Sequence, residues 1–130
     1  GDSSSGNVAF RVTDYNDTSV LDVKADGRGL SQFTAKAWVN FNGTSTVAIR
    51  DSHNVSSITD TTTGNYKVNF ANAMANANYA AVAGTERTST WIDGGVNVTT
   101  PFATTNVQVQ NIENGNGVDT AIFSVLVFGD

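Results

Sequence analysis

A period of two runs through residues 35–41 and 66–70, and few folds accommodate it. Ala35, Ala37, Val39 and Phe41 fall on one face of an extended segment, with Lys36, Trp38 and Asn40 on the other. Tyr66, Val68 and Phe70 alternate in the same way with Lys67 and Asn69. Such alternation marks β-strands that turn one face to a core and the other to water. Turn chemistry separates the strands. Asn42-Gly43 predicts a tight hairpin with positive φ. Residues 46–50 return, residues 55–59 continue, and the polar run 60–64 turns again, so residues 32–70 read as a β-meander.

The flanks follow the same rules. Residues 7–12 and 19–23 read as short strands around a turn at Asp14–Asp17, and Gly27 and Gly29 suit a reversal. The opening GDSSSGN lacks the basic and apolar regions of a signal peptide and reads as linker. Residues 71–78 (ANAMANAN) are too rich in Asn for a long helix and predict an irregular crossover, with Met74 turned inward between Phe70 and Tyr79. Strands follow at 79–84, 96–99 and 106–112, with Pro101 at a strand end or on a sheet edge. Asn114-Gly115-Asn116-Gly117 is the strongest hairpin signal in the chain. The expected fold is all-β, a single antiparallel β-sandwich over residues 32–130, preceded by linker and short strands over residues 1–31.

The last strand, 120–128, departs from the one-sided pattern. Ala121, Phe123, Val125 and Val127 make one apolar face, while Ile122, Leu126 and Phe128 make the other. A strand apolar on both sides needs cover on both. With no cysteine available for disulfides, contact with another copy near this strand is the expected source of stability.

Charge and composition exclude several functions. The net charge is −5, and the seven basic residues are scattered, so no basic face exists for nucleic acid. No run approaches the ~20 apolar residues of a membrane-spanning helix, so no membrane insertion is expected. Asp51-Ser52-His53 holds three residue types of a hydrolase triad, but neighbours on a strand point to opposite faces and cannot converge. One histidine and no cysteine leave transition metals without ligands. Asp14, Asn16 and Asp17 suit an Asx-turn better than a calcium loop. No two carboxylates are paired by spacing for glycoside hydrolysis. Hence no catalytic residue, metal or cofactor is expected, and the chain is not read as an enzyme.

What remains is recognition. Trp38 lies on the wet face of its strand, where packing under another strand or subunit explains it. Trp91 stands in a polar loop with Glu86, Arg87 and Asp93 beside Gly94-Gly95. An aromatic ring at a loop tip can stack on a sugar while neighbouring polar groups bond its hydroxyls, or it can fold back onto the sheet as packing. The candidate binding residues are therefore Trp91, Asp93, Arg87 and Glu86, followed by Asn114 and Asn116.

Several stretches carry a resemblance: Lys24-Ala-Asp-Gly-Arg-Gly-Leu30, AKAWVNFNGT at 35–44, VAIRDSHNVSSITD at 47–60, and GNYKVNF at 64–70 followed by Met74 and Asn78-Tyr79. Together they resemble the C-terminal region of tail-fibre proteins from marine and cyanobacterial phages, over about half the chain. The resemblance implies a homotrimeric, all-β fibre tip on the distal tail fibre of a virion, which attaches to a host-cell surface glycan or surface protein. Two other classes share the composition: an extracellular bacterial carbohydrate-binding module, and a purely structural fibre segment.

Overall fold

In a computed structural model the chain is described over residues 7–31, 33–86 and 94–129. These form twelve strands and no helix. The expected all-β sandwich is the fold.

A three-stranded antiparallel sheet comes first: β1 (Val8–Thr13), β2 (Ser19–Lys24) and β3 (Gly29–Leu30). Two sheets then face each other. The first has the order β5 (Ala48–His53), β4 (Ala35–Asn42), β12 (Phe123–Phe128), β8 (Ala80–Thr85). The second contains β6 (Val55–Thr62), β7 (Asn65–Phe70) and β10 (Asn106–Glu113), with β9 (Gly94–Ala103) and the short β11 (Asn116–Gly117) both paired to β10.

The alternating residues fill the space between the two layers. Ala37, Val39, Phe41, Phe123, Val125 and Val127 descend from one sheet onto Tyr66, Val68, Val107 and Val109 of the other. Phe41 and Phe123 stack at 5.1 Å, and Tyr66 meets both edge-on at 5.2 and 5.5 Å. Such pairs add to simple burial because a positive ring edge meets a negative ring face. A second aromatic group, Phe70, Tyr79 and Phe102, closes the opposite end of the core. Met74 is buried beside it, as the crossover pattern predicts.

The meander expected over residues 32–70 is corrected. β4 and β5 form one hairpin and β6 and β7 another, but the two hairpins lie in opposed sheets. The chain changes layer at the single residue Asn54, which adopts φ 55°. Asn tolerates this left-handed conformation. Its amide donates to Lys36 O (3.0 Å) and Asn72 O (3.1 Å), while its carbonyl oxygen accepts from Asn72 N–H (2.7 Å). The corner and the following crossover are thus tied to β4.

The turn after β4 also differs from expectation. It is a longer loop in which Ser45, not Gly43, has positive φ. Asn42 holds it by donating to Thr44 O and Thr46 O. Gly43 is needed for close approach, since a Cβ there would stand 2.5 Å from the Tyr66 hydroxyl. The Asn114-Gly115 turn fits its sequence signal, with φ of 50° and 75°. Pro101 lies in β9, an edge strand, as required of a residue without an N–H. The alternation puts Lys36 on the wet face, yet it is 5% exposed and lies against Ser31 and Thr34. Its ammonium donates to Ser31 O and to Thr34 O.

β12 occupies the middle of its sheet, between β4 and β8. Its inner face is core. Its outer face carries Leu126, which remains 39% exposed.

Candidate functional site

Strand direction sorts the connections into two groups. The β4–β5 loop, the β6–β7 turn, the β8–β9 connection, the Asn114-Gly115 turn and residues 118–122 all leave from one end of the sandwich. The N-terminal sheet, the Asn54 corner, the 71–79 crossover and Gly129 gather at the other.

The loop end rests on a rigid base. Tyr66 O–H donates to Asp119 Oδ1 (2.6 Å) and lies 2.9 Å from Gly43 O, while Gly64 N–H donates to the same carboxylate oxygen at 2.6 Å. Burial, and next the Asp119 carboxylate, push the Tyr66 hydroxyl far above the ordinary tyrosine range. Buried Asn111 donates to Val118 O at 3.1 Å. Two glycines let the turns meet backbone to backbone. A Cβ on Gly64 would stand 2.4 Å from Val118 N, and one on Gly117 2.2 Å from Thr63 O. No local sequence signal marks Asp119 for this role, because its partners Gly64 and Tyr66 lie more than fifty positions away in the chain.

Of the candidate binding residues, Arg87, Trp91 and Asp93 lie outside the described residues. The ends of their connection are placed. Glu86 accepts from Ala121 N–H through Oε1 (2.7 Å), and Gly94 pairs with Glu113 at the foot of the Asn114-Gly115 turn. The connection therefore starts beside residues 121–122 and ends beside Asn114. Asn114 and Asn116 are exposed, and the Asn116 amide donates to Asn114 O at 3.0 Å. Glu86 thus anchors the loop, while the two asparagines build the adjacent turn and present its polar tip.

Asp51, Ser52 and His53 are opposite Asn40, Val39 and Trp38 in the ladder. Asp51 and His53 share the outer face with Asn40 and Trp38, whereas Ser52 belongs to the inner side. Among the described residues, no three His, Cys, Asp or Glu side chains are grouped as a metal site. A cavity of about 160 Å³ separates the N-terminal sheet from the sandwich, lined by Arg28, Leu30, Lys36, Asn54, Met74 and their neighbours. Its Lys36 ammonium donates to the carbonyls of Ser31 and Thr34.

No family model, no curated protein and no solved structure matches the chain.

Proposed function

We propose that the chain is the receptor-binding tip of a phage tail fibre, a non-catalytic homotrimer that attaches the virion to a glycan on the host bacterial surface. One observation supports this reading: the N-terminal sheet and the longer loops lie at opposite ends of the sandwich. The N-terminal sheet and Gly129 lie together at one end, while Glu86, Gly94 and the Asn114-Gly115 turn lie at the other. Surface loops on a rigid β-scaffold are the common place for recognition residues.

The N-terminal sheet supports contact between copies. Phe10 is opposite Val23 and Val12 opposite Leu21, so these four side chains share one face. No second layer is built over that face by residues 7–31. Phe10 is 60% exposed, and every residue of β1 is exposed. Threefold contact through this sheet would cover the apolar face in each copy and close the assembly.

Binding of the purified protein to an array of bacterial surface glycans tests the proposal, together with adsorption to host cells. Trp91→Ala should fold normally and lose binding. A protein that binds neither array nor cells would overturn the attachment reading. A solution mass near 13.6 kDa, that of one chain, would overturn the trimer and favour a monomeric carbohydrate-binding module.

A further inference from the structure

The outer face of the β5–β4–β12–β8 sheet carries two parallel rows of side chains. Pairing aligns His53, Trp38, Leu126 and Val82 across all four strands. Two residues further along, it aligns Asp51, Asn40, Ser124 and Gly84. The first row is largely apolar, with Leu126 39% and Val82 59% exposed. The second is polar and internally connected. Asn40 donates to Ser124 Oγ at 2.9 Å, and the Arg50 guanidinium donates to Asn40 Oδ1 at 3.4 Å. Residues two apart on a strand are separated by roughly 7 Å, so a single sugar ring spans both rows.

From this arrangement we infer that the sheet face around Trp38 binds a neutral hexopyranose, as a second site distinct from the loop end. A pyranose has the matching amphipathic form. Its C–H face packs on Trp38 and Leu126, and its hydroxyls reach the polar row. Asp51 supplies an acceptor and Arg50 a donor, and their charges cancel, which favours a neutral sugar over an acidic one. Gly84 completes the polar row without a side chain, and nothing stands within 4 Å of where its Cβ would be. A glycine inside a strand marks a place where another molecule can approach the backbone closely. A second copy of this chain, the occupant expected from the sequence of residues 120–128, is the poorer one, because it would bury the exposed Arg50 and Asp51 away from water. The site names a ligand class for the glycan-binding reading and rests on that reading.

The chain has two tryptophans, so Trp91→Phe leaves Trp38 as the sole indole reporter. Emission of that variant is titrated with methyl α-D-mannopyranoside, methyl β-D-glucopyranoside and methyl β-D-galactopyranoside. The expected result is a saturable blue shift with at least one glycoside, weakened about tenfold or more by Leu126→Lys and by Asp51→Ala. Thr61→Lys, on the opposite sheet, should leave it unchanged. No shift with any glycoside overturns the sheet site, and so does a shift that survives Leu126→Lys. The attachment reading is read separately from the glycan array. Array binding lost on Trp91→Ala but kept on Leu126→Lys would leave that reading standing without this site. If Leu126→Lys instead lowers the solution mass and no glycoside shifts Trp38, the face is a contact between copies and the inference fails.

Discussion

Phe10 and Phe123 occupy the same kind of position, an apolar residue at an alternating site in a six-residue antiparallel strand. Phe123 is 0% exposed and Phe10 is 60% exposed. The difference lies outside either strand. Phe123 has a second sheet above it, whereas Phe10 belongs to a three-stranded sheet with no layer of its own over that face. Alternation therefore tells which side of a strand is apolar, but not whether anything covers it.

The largest effects should come from the covered layer. Phe123→Ala removes a ring packed between Phe41 and Tyr66 and should cost about 3–5 kcal/mol, read as a lowered urea midpoint. Phe10→Ala should change the unfolding midpoint of a dissociated chain by no more than about 0.5 kcal/mol, and it should lower the solution mass. Equal destabilisation by the two would erase the distinction between the regions.

Glycines sharpen it next. Gly64 and Gly115 have nearly the same φ, 74° and 75°. A Cβ on Gly64 would meet Val118 N, while one on Gly115 would meet nothing within 4 Å. Gly115→Ala should cost about 1–2 kcal/mol for the left-handed backbone alone. Gly64→Ala must also separate two packed turns, and its urea midpoint should fall clearly below that of Gly115→Ala. Matching midpoints would show that the loop-end base gives way without cost.

Tyrosines offer the same test at a smaller scale. Tyr66 is buried with its hydroxyl on Asp119, and Tyr15 is wholly exposed. Tyr66→Phe should cost roughly 1–3 kcal/mol, because Asp119 loses a partner, and Tyr15→Phe almost nothing. Because folding raises the Tyr66 pKa, its contribution is intact below the ordinary tyrosine value near 10 and is lost as pH rises beyond it. Alkaline unfolding followed by circular dichroism should therefore start above about pH 10 and depend less on pH in Tyr66→Phe. An unchanged alkaline limb would remove Tyr66 from that role.

These cases show how far the sequence could be read. Strand positions, the Asn114-Gly115 turn, the Met74 crossover and the edge placement of Pro101 follow from local chemistry and are legible. Sheet membership is not. Residues 48–53 and 55–62 are consecutive strands with one residue between them, and only the backbone of Asn54 sends them to different layers. The pairing of β12 with β4 joins residues more than eighty positions apart, and no local pattern encodes it. It is also what brings Leu126 and Ser124 beside Trp38 and Asn40. The row around Trp38 is thus invisible in sequence, although Trp38 itself stands out. At the loop end, Glu86 reads as a binding group because it is charged and near Trp91. Its bond to Ala121 N–H follows from the pairing of β8 with β12.

The smallest expected effect belongs to the uncovered region. Arg11 and Asp22 face each other across β1 and β2, with Arg11 Nε donating to Asp22 Oδ1 at 2.6 Å and a second guanidinium nitrogen to Oδ2 at 3.0 Å. The hydrogen bond from Arg11, then that from Ser19, lowers the Asp22 carboxyl to about 2. A carboxylate lowered by folding contributes above its unfolded pKa of about 3.9, and the contribution fades as pH falls toward 2. Arg11 is half exposed, so water and salt screen the pair and its effect on global stability should be slight. The expected signature is local. Between pH 4 and pH 2, amide exchange in residues 8–24 should quicken relative to β4, β7 and β12, and added salt should reduce the difference. Asp22→Asn should remove the pH dependence while leaving the urea midpoint of the sandwich in place. If Asp22→Asn instead shifts that midpoint, the N-terminal sheet and the sandwich unfold as one unit, and the contrast between covered and uncovered layers does not extend to their stability.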